Sequence, residues 1–298
     1  MTEIIIAGQP VQKVTAAAKR FNGAIWGDAG CGKTTLAGTA PGRKLWYQFD
    51  PDGVDSISDE VCEKEGIIRV DLSQASTDKL ADECKNEGNP FGIKSTIEAV
   101  DTYIFDSITN LTDKTLTRGI STNTGATVER PSPGAYGTRN ALAIRAIKNV
   151  AKITGVHKKN VIWIAHEGAP DKDEKTGAIL HISLALGGQL PSNIGIDFSE
   201  LWAMYQVDNR ADRRIMIRPA RLRKPMKTRM FRQGDEPEFD WKFDPDDWFN
   251  KKNLPYRIDT WLKLWELTGD KLPLPGSQVY MNLVKRFEKE LPAYPLYS

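Results

Sequence analysis

The sequence predicts an α/β fold with a mostly parallel central sheet, followed by a small C-terminal appendage. Three observations predict it. Short apolar runs alternate with segments of helical periodicity, the pattern of strands joined by helical crossovers. The runs are nearly continuous in apolar residues, as strands covered on both faces are. The first of them leads directly into a glycine-rich pattern, Gly27-Asp28-Ala29-Gly30-Cys31-Gly32-Lys33-Thr34, which matches G-x-x-x-x-G-K-[ST] in full.

Taken in order, Ala24-Ile25-Trp26 is the strand before the loop, and residues 34–39 read as a helix stopped by Ala40-Pro41-Gly42. Residues 44–49 form a second strand, ending in Asp50-Pro51-Asp52-Gly53, and residues 66–70 a third. Residues 100–105 are a strand that ends at Asp106. The stretch 119–137 is rich in Gly, Ser, Thr and Pro and reads as a long loop. Beyond it Ala143, Ile147, Val150 and Ala151 recur at helical spacing. Residues 160–165 are a buried strand that ends at His166-Glu167. Residues 168–197 form a second polar, glycine-rich stretch, and 198–232 read as strands and hairpins.

Charge then reverses sharply. Residues 205–232 hold ten Lys/Arg against two Asp, and residues 235–247 hold seven Asp/Glu against one Lys. We place the end of the core there: residues 1–234 form the nucleotide-binding core, and residues 235–298 an acidic, aromatic and mostly helical appendage. Trp241, Trp248, Trp261 and Trp265 either pack a small helical cap or form a segment that binds a partner.

The totals fit this division. A chain of 298 residues is near the upper end of what one core supports. With 40% hydrophobic and 27% charged residues it has an ordinary globular composition. Net charge is only +2, so nucleic-acid binding needs a local basic patch. No run of about 18 apolar residues occurs, and the N-terminus has no signal-peptide pattern. The cysteines, Cys31, Cys62 and Cys84, are few, odd in number and lack metal-ligand spacing, which points to a reducing, cytoplasmic setting.

In an α/β sheet, ligands sit at the carboxyl ends of the strands. Four polar sets fall there: the Gly27 loop, Asp50/Asp52, Asp106/Ser107 and His166/Glu167. The loop glycines let several N–H groups turn inward as an anion nest that feeds a helix N-terminus. Lys33 is expected at the β/γ-phosphates and Thr34 at a Mg²⁺ ion, with Thr35 completing the loop. Asp106 ends a Walker B-like strand, Thr102-Tyr103-Ile104-Phe105-Asp106, and would hold the metal through water. Ser107 rather than a second acid follows, so the base lies elsewhere: Asp52 or Glu167. His166 would hydrogen-bond the γ-phosphate and sense its loss. A guanine-reading N/T-K-x-D pattern is missing, so ATP is the expected nucleotide.

This ordered set resembles a RecA-like core. It is similar to phage-encoded RecA-like ATPases, especially Sak-type single-strand-annealing recombinases and related phage nucleotide-binding proteins. The resemblance rests on residues 27–35, Asp50-Pro51-Asp52-Gly53, Ile104-Phe105-Asp106-Ser107, Ile164-Ala165-His166-Glu167 and Lys227-Thr228-Arg229. It covers residues 24–232. It implies that Asp52 stands where the family has a catalytic glutamate, a shorter acid that must be compensated or slows hydrolysis. It implies that Lys227 and Arg229 reach the nucleotide of a neighbouring subunit as a cationic finger. It further implies a ring or filament with ATP at its subunit interfaces, single-stranded DNA as substrate, a single-strand-binding protein as partner, and a phage protein at work in the bacterial cytoplasm.

The basic block, with Tyr136 between Arg130 and Arg139, is either a phosphate-contacting surface with an aromatic platform or a solvated strand face. Ile4-Ile5-Ile6 is either an oligomerisation strand or an ordinary edge. The expected activity is DNA-stimulated ATP hydrolysis in recombination, annealing or replication. Two rivals remain. One is a nucleotide-switched loader or scaffold with slow turnover. The other is a small-molecule P-loop kinase, for which no arginine-rich lid is identifiable.

Overall fold

In a computed structural model, the described residues are 5–6, 9–10, 19–50, 56–187, 190–207, 212–232, 234 and 236–291. Asp52 and the turn around it lie outside them, as does Ile4. In chain order the elements are β1 (Ile5–Ile6), β2 (Gln9–Pro10), β3 (Asn22–Gly27), α1 (Lys33–Gly38), β4 (Lys44–Gln48), α2 (Asp59–Lys64), β5 (Ile67–Asp71), α3 (Thr77–Lys85), α4 (Ile93–Thr96), β6 (Thr102–Asp106), α5 (Ile108–Thr122), α6 (Pro133–Val156) and β7 (Asn160–His166). They continue with β8 (Asp171–Lys172), β9 (Ile179–His181), α7 (Leu190–Ile194), β10 (Glu200–Gln206), β11 (Arg213–Met216), β12 (Glu238–Trp241), α8 (Ile258–Thr268) and α9 (Gln278–Arg286).

The expected α/β architecture is present. One 8-stranded sheet runs β12-β11-β10-β3-β7-β6-β4-β5. From β10 to β5 all neighbours are parallel, and β11 and β12 add an antiparallel ribbon at one edge. The loop strand β3 and the Asp106 strand β6 are separated by β7, so His166 ends the strand between them. β1 and β2 pair antiparallel with each other in a separate ribbon.

Side-chain alternation explains why these strands are apolar throughout. Ile25, Trp46, Ile104, Ile162, Trp202 and Ile215 enter one core; Ala24, Tyr47, Phe105, Trp163, Ala203 and Met216 enter the other. The second core is covered by α3, α5 and α6, and is tied by stacked rings, Phe105 on Trp163 at 4.0 Å and Tyr47 on Phe105 at 4.8 Å.

Two stretches differ from their expected form. The loop expected over 119–137 is shorter, confined to residues 123–132: α5 runs on to Thr122 and α6 begins at Pro133, capped by the Ser132 hydroxyl, which accepts from Ala135 N at 3.2 Å. Gly119 is the reason. A Cβ there would lie 2.3 Å from the Ala135 carbonyl oxygen, so this glycine serves close helix packing rather than a turn.

The described residues of the expected appendage, 236–291, also depart from that form. Glu238-Phe239-Asp240-Trp241 is the edge strand of the main sheet, with Phe239 and Trp241 inward and the two acids outward. Trp248, Trp261 and Trp265 share the core of Ile25 and Leu36. The boundary expected at 234/235 thus falls between two strands of one sheet. The acidic block marked a strand whose acids pair with basic residues of the neighbouring strand and the turn after it: Arg214 with Glu238 at 2.9 Å and Asp240 at 3.0 Å, Arg221 with Glu238 at 3.0 Å.

After β12 the chain straps across α1. The Trp248 ring packs on Gly38, and its indole N–H donates to Glu65 Oε1 at 2.8 Å. Ile258 N and Asp259 N donate to the hydroxyl and carbonyl oxygens of Thr39, at 3.0 and 3.1 Å. Beneath the strap lies a buried ionic cluster: Lys44 on Glu65 at 3.0 Å, Arg257 on Glu65 at 2.6 Å and on Asp259 at 3.1 Å. Among the described residues no helix is long and apolar enough to cross a membrane.

Candidate nucleotide site

A cleft of about 750 Å³ opens at the carboxyl ends of β3, β4, β6 and β7. Its floor is the Gly27–Thr34 loop. Gly30 and Gly32 have φ of 74° and 96°, a region that L side chains rarely adopt. At Gly32 space adds a second demand, because a Cβ would lie 2.8 Å from the Trp241 ring. These turns bring the chain into α1 at Lys33.

Lys33 is buried, and its ammonium group lies inside the loop. It donates to Gly27 O at 3.0 Å and Asp28 O at 2.6 Å, and lies 3.8 Å from the Cys31 sulfur. Burial pushes the Cys31 thiol above its usual range, so it stays protonated beside the lysine. Asp28 is exposed, and its carboxylate accepts from Ala29 N at 2.8 Å. Thr34 and Thr35 line the cleft just beyond.

Asp106 reaches the cleft from β6 and is only 5% exposed. Burial pushes its carboxyl up to about 7; Lys33 opposes that rise and Asp50 adds to it. Its Oδ2 is buried without a hydrogen-bond partner among the described residues. An orphaned carboxylate oxygen that costs free energy to bury is what a hard cation would satisfy, and Thr34 lines the same cleft. The residues present therefore fit a divalent cation held by Asp106 and Thr34. Ser107, which follows Asp106, instead caps α5: its hydroxyl accepts from Asn110 N at 3.2 Å.

His166 is half-buried at the end of β7, and its backbone N–H donates to the Thr109 hydroxyl at 3.1 Å. Burial first, then Lys33, lowers its pKa, so the ring is neutral at pH 7 and free to exchange hydrogen bonds. The structure thus brings Lys33, Thr34, Thr35, Asp50, Asp106 and His166 around one cavity.

Other expected residues are elsewhere. The Glu167 carboxylate is clamped by Arg223 through two bonds of 2.9 and 3.1 Å and does not line the cleft. Lys227 bridges to Leu201, and Arg229 N donates to Glu200 Oε1 at 2.9 Å. Glu200 pairs with Gly23, at the opposite end of β3 from the loop, so neither cation approaches the chain's own cleft. Tyr136 is exposed beneath the Arg139 guanidinium at 4.9 Å, and Arg130, in the loop before α6, is exposed.

The cleft is also lined by residues that the sequence reading did not place there, among them Arg213, Pro245, Asp246 and Trp248. Their signal was the alternation of residues 238–241, which marks a strand and so carries the following residues back over α1.

A family model described as the AAA domain matches residues 19–222, the span that supplies the loop, Asp106, His166 and the central strands. No curated protein matches the chain. On sheet order, loop and family match together, the chain belongs to the AAA-domain family of P-loop nucleoside triphosphatases.

Proposed function

We propose that the protein binds ATP with Mg²⁺ in this cleft and hydrolyses it, and that a homo-oligomer uses the turnover to act on single-stranded DNA in phage recombination, annealing or replication. One observation carries the reading: three strand ends far apart in sequence place Lys33, Thr34, Asp106 and His166 around a single cavity.

Each residue then has a task. The Lys33 ammonium exchanges the Gly27 and Asp28 carbonyls for β- and γ-phosphate oxygens. Asp106 gives up its proton and, with Thr34, holds Mg²⁺, which supplies charge neutralisation at the phosphates. Neutral His166 hydrogen-bonds the γ-phosphate and, through Thr109, links its loss to α5. Asp52 remains the base favoured by the sequence pattern. Lys227 and Arg229, remote from the cleft of their own chain, can serve a nucleotide only across a subunit interface, which supports a ring or filament. The DNA reading rests on the resemblance and on the Tyr136–Arg139 platform. The basic block supports it less, since Arg214, Arg221 and Arg223 already have carboxylate partners.

One observation favours a second reading, a slowly hydrolysing loader or scaffold. Arg223 holds the Glu167 carboxylate away from the cleft, leaving the short Asp52 side chain as the base.

ATPase rate measured across protein concentration, with and without single-stranded DNA, decides between them. Turnover per subunit that rises with concentration and with DNA supports the first reading. Tight ATP binding with negligible turnover under all conditions supports the second.

A further inference from the structure

Arg213 borders the cleft but has no task in the turnover above. It starts β11, directly across from Trp241, and its guanidinium lies over that ring at 5.9 Å. Strand alternation turns its neighbour Arg214 to the other face, where Glu238 and Asp240 neutralise it. Arg213 has no carboxylate partner among the described residues, and its Nε is buried there without a hydrogen bond. Its Nη1 and Cδ come within 3.3 and 3.4 Å of the place a Cβ on Gly32 would take. Packing, not an ion pair, holds this cation against the phosphate loop.

Strand order decides which end of a nucleotide it meets. β7 and β6, with His166 and Asp106, lie on one side of β3; β10 and β11 lie on the other. The terminal phosphate is drawn to Lys33, Thr34 and Asp106, so the nucleoside extends the opposite way, toward β11. A groove of about 690 Å³ adjoins the phosphate cleft there and shares Arg213, Pro245 and Asp246 with it.

We propose that this groove receives the nucleoside of the bound triphosphate, with the nucleobase stacked on the Arg213 guanidinium. The inference rests on the nucleotide reading of the cleft. A planar guanidinium presents a face on which any base stacks. The exposed Asp246 carboxylate beside it accepts from an exocyclic amine such as that of adenine. The C-terminal strap is then part of the substrate site rather than a cover on the fold.

Calorimetric titration of the full chain with ATP, ADP and inorganic tripolyphosphate, each with Mg²⁺, tests it. Arg213→Ala should weaken ATP and ADP by one common factor, about tenfold for a desolvated cation–π contact, and leave tripolyphosphate binding unchanged. Arg213→Lys, which keeps the charge and loses the planar face, should weaken both nucleotides as well. Loss of tripolyphosphate affinity by the same factor, or full recovery with lysine, would make Arg213 a phosphate contact and overturn the inference. Wild-type protein that binds neither ATP nor tripolyphosphate would refute the nucleotide reading itself. Wild-type binding of all three with unchanged nucleotide affinity in Arg213→Ala would refute only the inference.

Discussion

Replacing Asp106 by asparagine should stabilise the ligand-free protein above neutral pH while removing its response to Mg²⁺ and ATP. In the unfolded chain this carboxyl loses its proton near its ordinary value of 3.8, and in the fold it keeps it up to about 7. Between those values the native state binds the extra proton, so unfolding free energy falls as pH rises. At about 1.4 kcal/mol per pH unit, the shift makes ionised Asp106 about 4 kcal/mol costlier in the fold than in the unfolded chain by pH 8. Asparagine keeps the shape and cannot ionise. Urea unfolding of both proteins without nucleotide should show a stability difference that opens by about 4 kcal/mol in favour of Asp106→Asn between pH 4 and pH 8. Nucleotide with Mg²⁺ should raise wild-type stability only, with an apparent affinity that weakens as pH falls below about 7. A difference that does not change with pH, or a less stable variant at pH 8, would show that Asp106 does not carry the burial cost argued for it.

Further expectations follow from the same geometry. Lys33→Ala should abolish turnover without unfolding the chain, because its ammonium bonds only to loop carbonyls and the Cys31 sulfur among the described residues; a normal rate would end the phosphate-site account. Gly32→Ala should reduce nucleotide affinity, since both its φ of 96° and a 2.8 Å approach to Trp241 oppose a side chain; unchanged affinity in the titration above would contradict the loop conformation. Arg257→Met should cost about 3–5 kcal/mol in urea unfolding by leaving Glu65 and Asp259 buried beside one cation fewer. Asp52→Ala should lower turnover by about 10²–10⁴-fold, the span for loss of a general base, while Glu167→Gln retains most of it; the reverse pattern would move the base to Glu167.

The sequence carried the parallel core well because its signals are local and redundant. The loop motif, the strand before it and the acid ending Thr102–Asp106 each constrain backbone and side-chain chemistry at one place, and β7 declares itself through Val161-Ile162-Trp163-Ile164. It failed where one residue type serves two purposes. Gly119 and the end of α5 to Thr122 read as loop because glycine's turn signal is local, whereas the contact with Ala135 that explains it lies across a helix pair. The acidic block read as a domain boundary because net charge was counted along the chain, not across it; Glu238 and Asp240 lie opposite Arg214 in the sheet. Once β12 was missed, Arg213, Pro245 and Trp248 had no reason to be near the phosphate loop. Their proximity is tertiary, set by the strap that Trp248 and Arg257 fasten to Glu65.

The account stands most directly on where the metal sits. Crystals of the protein grown with a non-hydrolysable ATP analogue and Mn²⁺ in place of Mg²⁺ would give an anomalous peak at the ion. We predict a single peak between the Thr34 hydroxyl and the Asp106 carboxylate, with the triphosphate on the Gly27–Thr34 loop. A peak elsewhere, or a nucleotide bound away from Lys33, would contradict it.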